Sequence, residues 1–156
     1  MENVKERFAV LIRPSGRFET VQIGFDGGSQ TILDALVEYF DGQIEWARTS
    51  DGYAYITREG AFDDGLTRND AAAWLANITL FGDVLVLPKG DGGRCRVGYW
   101  SMSDAYKRKI WMRTQWEQEL EWRSNPEKYN FRNKNTPCRR EKSIFTIKNY
   151  KYERNH

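Results

Sequence analysis

Histidine is almost missing from this chain. Of 156 residues only the last, His156, is one, so a Ser-His-Asp or Cys-His nucleophile system, a zinc-protease helix and a zinc-deaminase site have no base or ligand set. Cysteine is scarce too. Cys95 and Cys138 are the only two; they are too few and too far apart for a disulfide framework or a zinc knuckle, and both read as free thiols. No run of 18 apolar residues occurs, and the opening stretch MENVKERFAVLIRP carries charges where a signal peptide needs its apolar segment. The expectation is a soluble cytoplasmic protein without a membrane segment. A Gly-x-x-x-x-Gly-Lys-Ser/Thr phosphate loop is also lacking. Gly27-Gly28-Ser29 ahead of a helix is a weak anion-site candidate, and a plain turn is the better reading.

What is present divides by charge. The net charge of +2 conceals 8 Lys and Arg against 15 Asp and Glu in residues 1–93, a balance of −7, and 16 against 7 in residues 94–156, a balance of +9. Such asymmetry points to a charged polymer or an acidic surface as partner, or to attraction between the two halves themselves. Asp63-Asp64 and the nearby Glu59 could offer oxygen ligands to Mg²⁺. Adjacent aspartates in a Gly-containing loop read first as solvated turn residues.

Residues 8–13 (FAVLIR) and 18–24 (FETVQIG) flank Pro14-Ser15-Gly16 and predict a hairpin. Thr31 as N-cap with Asp34 opens a helix whose buried face is Ile32, Leu33, Leu36, Val37 and Phe40, and Gly42 stops it. Residues 43–48 and 53–58 surround Thr49-Ser50-Asp51-Gly52, a second hairpin signal. A second helix is expected from Arg68 to about Asn77, with Ala71, Trp74 and Leu75 inward. Residues 82–88 read as a strand, and the Gly-rich loop after it either turns into another over residues 94–100 or marks a boundary. The pattern predicts an α+β core domain over residues 1–100, a mainly antiparallel sheet with two helices packed on one face.

Residues 101–156 form the expected basic extension, packed on or beside that core. Residues 103–123 (SDAYKRKIWMRTQWEQELEWR) hold no Gly or Pro and predict one long helix, with Ser103 as N-cap and Asp104 at the positive end of the dipole. At about 100° per residue, Met102, Tyr106, Ile110, Trp116 and Leu120 share one broad face, with Ala105 and Met112 at its margin. Trp111 and Trp122 point to roughly the opposite side. After Ser124-Asn125-Pro126 come a basic loop and one late strand over residues 143–152 (SIFTIKNYKY).

One stretch carries a resemblance. It contains an apolar helix followed by Gly42-Gln43-Ile44-Glu45, the pair Glu59-Gly60, then Gly65, Leu66, Asn69 and Ala72, and a closing Gly82-Asp83-Val84 strand. Over residues 8–88 this resembles the domain of unknown function 3846 family, small domains carried by phages and conjugative elements. The resemblance implies a mobile-element origin and supplies no catalytic residue.

The candidate binding residues lie in the basic half: Lys107, Arg108, Trp111 and Trp122 on the helix, then Arg132, Lys134, Arg139, Arg140 and Lys142. Cations beside aromatic faces are the ingredients of sequence-tolerant nucleic-acid binding and of protein hot spots alike. Alternatively, the tail covers both Trp and the cations are ordinary surface. No catalytic residue, metal or cofactor is expected. The leading expectation is a phage or mobile-element protein in a bacterial cell that binds and blocks a host nuclease or CRISPR-type effector, with or without its RNA or DNA. A direct DNA- or RNA-binding module and a sponge for a nucleotide signal are the alternatives. A second copy of the chain is a further candidate partner.

Overall fold

A computed structural model describes residues 5–27, 29–49, 51–90 and 97–129. Five strands, β1 (Lys5–Ile12), β2 (Phe18–Asp26), β3 (Ile44–Arg48), β4 (Tyr53–Arg58) and β5 (Val84–Pro88), make one antiparallel sheet in the order β2-β1-β5-β4-β3. Three helices accompany it, α1 (Ile32–Phe40), α2 (Asp70–Ala76) and α3 (Met102–Ser124), and a short 3₁₀ turn spans Pro126–Tyr129. This is the expected α+β fold with a long helix after the core. The basic loop and the late strand lie outside the described residues.

The helices do not share one face of the sheet. Ala9 and Leu11 of β1 and Leu85 and Leu87 of β5 pack with Ala35 and Leu36 of α1, whereas Val10, Ile12, Val84 and Val86 pack with α2 and with Ala105, Met112 and Trp116 of α3. Alternate residues of a strand point to opposite faces. The uninterrupted apolar runs of β1 and β5 are therefore what a sheet covered on both sides requires. In sequence, the helices' apolar stripes show that each needs a partner and not which face it takes.

Local chemistry sets the element ends. Thr31 caps α1 by accepting the Asp34 N–H at 3.1 Å, as expected, and the left-handed residue that ends the helix is Asp41, one before Gly42. The second helix starts later than expected, with Asn69 as its cap. Asn69 is fully buried. Its Oδ1 accepts the Ala72 N–H at 3.1 Å, and its Nδ2 donates to Ile12 O and Gly82 O, both at 2.8 Å. One amide thus ties the end of β1, the approach to β5 and the start of α2. Gly82 itself has φ 75°, and a Cβ there would stand 2.8 Å from Leu66 Cδ1. Leu66, Asn69 and Gly82, three residues of the resemblance, serve the fold in this way.

The long helix differs from expectation in two respects. Its cap is Ser101, which has extended backbone angles and accepts the Asp104 N–H at 3.2 Å. Ser101→Ala should cost about 1 kcal/mol and Ser103→Ala less than about 0.5 kcal/mol in urea denaturation, an order that the Ser103 cap would reverse. The buried stripe is also narrower, and centred on Ala105, Met112 and Trp116. Met102, Tyr106 and Leu120 are exposed on one flank, and Trp111 on the other. Ala105 and Met112, placed at the margin by the wider reading, are the residues that touch the sheet side. Among the described residues, no helix is long and apolar enough to cross a membrane.

Candidate functional site

Residues 97–100, expected as part of a strand, instead make two single bridges, Trp100 with Phe8 of β1 and Val97 with Lys89, just past the end of β5. Gly98 N–H donates to Pro88 O at 2.7 Å, and Phe8 and Trp100 exchange N–H···O bonds of 2.9 and 3.1 Å. Gly98 permits that approach, because a Cβ there would lie 3.1 Å from Lys89 O. Being extended, the segment sends neighbouring side chains to opposite faces. Trp100 joins the α3 side and Tyr99 the α1 side.

At the start of α3 this puts Trp100 at the back of a concavity of about 410 Å³, lined also by Asp104, Lys107, Arg108 and Trp111. The four helical residues are spaced by three, one and three. Positions three and four apart stack on one side of a helix, which is why they share a wall. Trp100 is nearly buried and meets Tyr53 edge to face at 5.9 Å. The Arg108 guanidinium lies 5.7 Å from the Tyr53 ring centroid. Burial pushes the Tyr53 phenol above its ordinary range, and the Arg108 charge opposes that rise. Arg108 is thereby held by an aromatic face, while Lys107 and Trp111 stand at the surface, Trp111 with 49% of its area exposed. Lys109 turns elsewhere, 4.5 Å from the Tyr106 ring centroid, and Arg113 approaches Glu117 at 3.9 Å.

Of the expected binding residues, Lys107, Arg108 and Trp111 come together here. Trp122 is about three turns further along, half-buried, and does not line this concavity. Arg132, Lys134, Arg139, Arg140 and Lys142 lie outside the described residues. Trp100 and Tyr53 were missed. Period-two alternation through Tyr99-Trp100 was the signal that could have separated them by face; the cation–aromatic contact of Tyr53 depends on a pairing between distant segments that no local pattern reports. Among the described residues, no three His, Cys, Asp or Glu side chains are grouped so that they could hold a metal ion. Arg58 donates to Asp64 Oδ2 from both Nη1 and Nη2, and Asp63 and Glu59 are exposed.

Neither a family model nor a curated protein matches the chain. The resemblance of residues 8–88 therefore stands on its motif residues alone. Among solved structures, the crystal structure of the small RNA methyltransferase HEN1 is similar to 65% of this chain at 14% identity, with a TM-score of 0.49. The chain spans 15% of that one. A likeness of this size carries no argument about activity.

Proposed function

We propose that the protein is a binding protein without catalysis, and that the surface of Lys107, Arg108 and Trp111 docks on a host nucleic-acid-handling defence machine of CRISPR-effector or restriction type. The observation that carries this reading is Trp111. A large aromatic that folding would normally claim stands half-exposed between cations, beside a concavity, on a rigid helix. Trp and Arg are the residues most enriched among interface hot spots, and two cations favour an anionic partner surface. The motif resemblance of residues 8–88 supports a mobile-element setting, in which a host defence machine is the natural target.

Direct binding of single-stranded nucleic acid is the second reading, supported by the same juxtaposition, since cations neutralise phosphates while an indole face stacks on a base. Lys107→Glu separates the two. With a host effector as partner, capture of that complex should survive nuclease treatment and fall with Lys107→Glu, while free oligonucleotides bind no better than to the variant. With nucleic acid as partner, capture should vanish on nuclease treatment, oligonucleotide affinity should drop between 50 and 200 mM salt, and Lys107→Glu should reduce the salt slope by about 1. Undiminished binding by both Lys107→Glu and Trp111→Ala would show that this surface is not the site.

A further inference from the structure

On the sheet face opposite α3, a concavity of about 710 Å³ opens between the start of α1, the end of β5 and the 97–99 segment. The β1–β2 ladder changes register beside it: Glu6 faces Phe25 but Phe8 faces Gln22, so Arg7 stands against both Ile23 and Gly24. The extra residue belongs to β2, which bends there, while β1 keeps its alternation. Gly24, at φ 64°, supplies the left-handed backbone the bulge needs. Arg7 is in step with Ala9 and Leu11 on the regular strand of the pair and so lies on the α1 side, where it lines the concavity while only 4% exposed.

Its guanidinium lies 6.0 Å from the Tyr99 ring centroid, and its hydrogen bonding is incomplete. Nη2 donates to Gln30 O at 2.8 Å, and among the described residues Nη1 has no hydrogen-bond partner. The nearest carboxylate, Asp26, is 4.0 Å from Nη2, and its Oδ2 accepts the Tyr99 hydroxyl at 2.5 Å. That bond holds the Asp26 carboxyl below its usual range, with Arg7 contributing a smaller share. Asp26 therefore stays charged and engaged with Tyr99. Buried cations ordinarily have acceptors for every arm. A Cβ on Gly24 would lie in ordinary contact with Nη1, at 3.5 Å, but only 2.7 Å from Gln30 Oε1, so a larger residue here would crowd Gln30, whose carbonyl Arg7 uses.

The other features of the concavity have the same sign. Thr31 satisfies the Asp34 N–H, which leaves the first N–H groups of α1, those of Ile32 and Leu33, without an intrahelical acceptor at the positive end of the dipole. Lys89 and Ser29 stand on the rim, and Arg7 with Lys89 outweighs Asp26 by one charge. We infer that this concavity binds the terminal phosphate of a small, nucleotide-sized molecule, with Arg7, Lys89 and the first turn of α1 holding its oxygens. The volume exceeds what a phosphate fills, and the Tyr99 ring with Ile32 and Val97 offers the carrier an apolar wall. The site is separate from the α3 surface and independent of the function proposed for it.

The test uses the full chain with AMP, inorganic phosphate and adenosine as probes, against NaCl at matched ionic strength. AMP should raise the melting temperature saturably, by roughly 5 to 10 °C at a hundredfold excess over Kd; inorganic phosphate should act more weakly and adenosine not at all. Lys89→Gln should weaken AMP about tenfold by calorimetry, and Arg7→Met should abolish binding. Should Arg7→Met fail to fold, Ser29→Asp sets a carboxylate on the rim without touching the core and should weaken AMP likewise. An AMP effect no larger than that of NaCl, equal binding of adenosine, or AMP affinity unchanged in both Lys89→Gln and Ser29→Asp would overturn the inference. Inorganic phosphate binding as tightly as AMP would overturn the nucleotide-sized carrier.

Discussion

Asn69→Ala should lower stability by about 3 to 5 kcal/mol in urea denaturation, the sum of a lost helix cap and two buried carbonyls left without donors. The side chain is fully enclosed, and its three bonds join β1, α2 and the Gly82 turn. Water cannot replace what it supplies. Asn69→Asp makes the reason visible, because it keeps the acceptor for the Ala72 N–H but has no donor for Ile12 O and Gly82 O. At neutral pH it should be at least as harmful as Ala. Its buried carboxylate would have a raised pKa, so stability is lost as pH rises through that value and partly recovered as pH falls. A loss below about 1 kcal/mol for Asn69→Ala would mean that the bridge contributes little.

The second large effect is a contrast within α3. Trp116→Ala should cost about 3 to 5 kcal/mol, whereas Trp111→Ala should cost less than about 1 kcal/mol and act on binding instead. Trp116 is 6% exposed and packs on Trp74 with ring centroids 5.8 Å apart. It also lies under the β1–β2 turn, where a Cβ on Gly16 would stand 3.7 Å from its Nε1, and the Arg123 guanidinium covers it at 5.0 Å. Trp111 has no such enclosure. The two are about 140° apart around the helix, so the reverse order of melting temperatures would mean that α3 sits rotated by that angle on the sheet.

That contrast also marks how far the sequence could be read. The 53–58 strand and its Asp-Gly turn were legible because the Asp51 carboxylate does local work, accepting the Tyr53 N–H at 3.0 Å and the Tyr55 hydroxyl at 3.0 Å. The α1 cap was legible for the same reason. Which side of the sheet each helix takes was not, since it depends on contacts between distant segments; the apolar runs of β1 and β5 held the only clue. On α3, apolar residues are spread round most of the circumference. Periodicity chose the flank of Met102, Tyr106 and Leu120, while the close approach to the sheet selected small Ala105 and unbranched Met112. For the binding surface, Lys107, Arg108 and Trp111 were legible as a run of types on one helix. Trp100 and the Arg7 concavity were not, because each needs the 97–100 segment laid against β1 and β5.

The position of β5 carries a consequence for the order in which the sheet can be completed. Its residues pair with β1 on one side, Val10 with Val86, and with β4 on the other, Tyr55 with Val86. The two hairpins, β1–β2 and β3–β4, are each complete within a short stretch of chain, yet nothing joins them until Val84–Pro88 is inserted between. A ribosome that has released the chain only as far as α2 therefore presents two unpaired strand edges, β1 and β4, with apolar residues on both faces. The span between synthesis of β1 and synthesis of β5 is the interval in which this protein is most exposed to wrong partners.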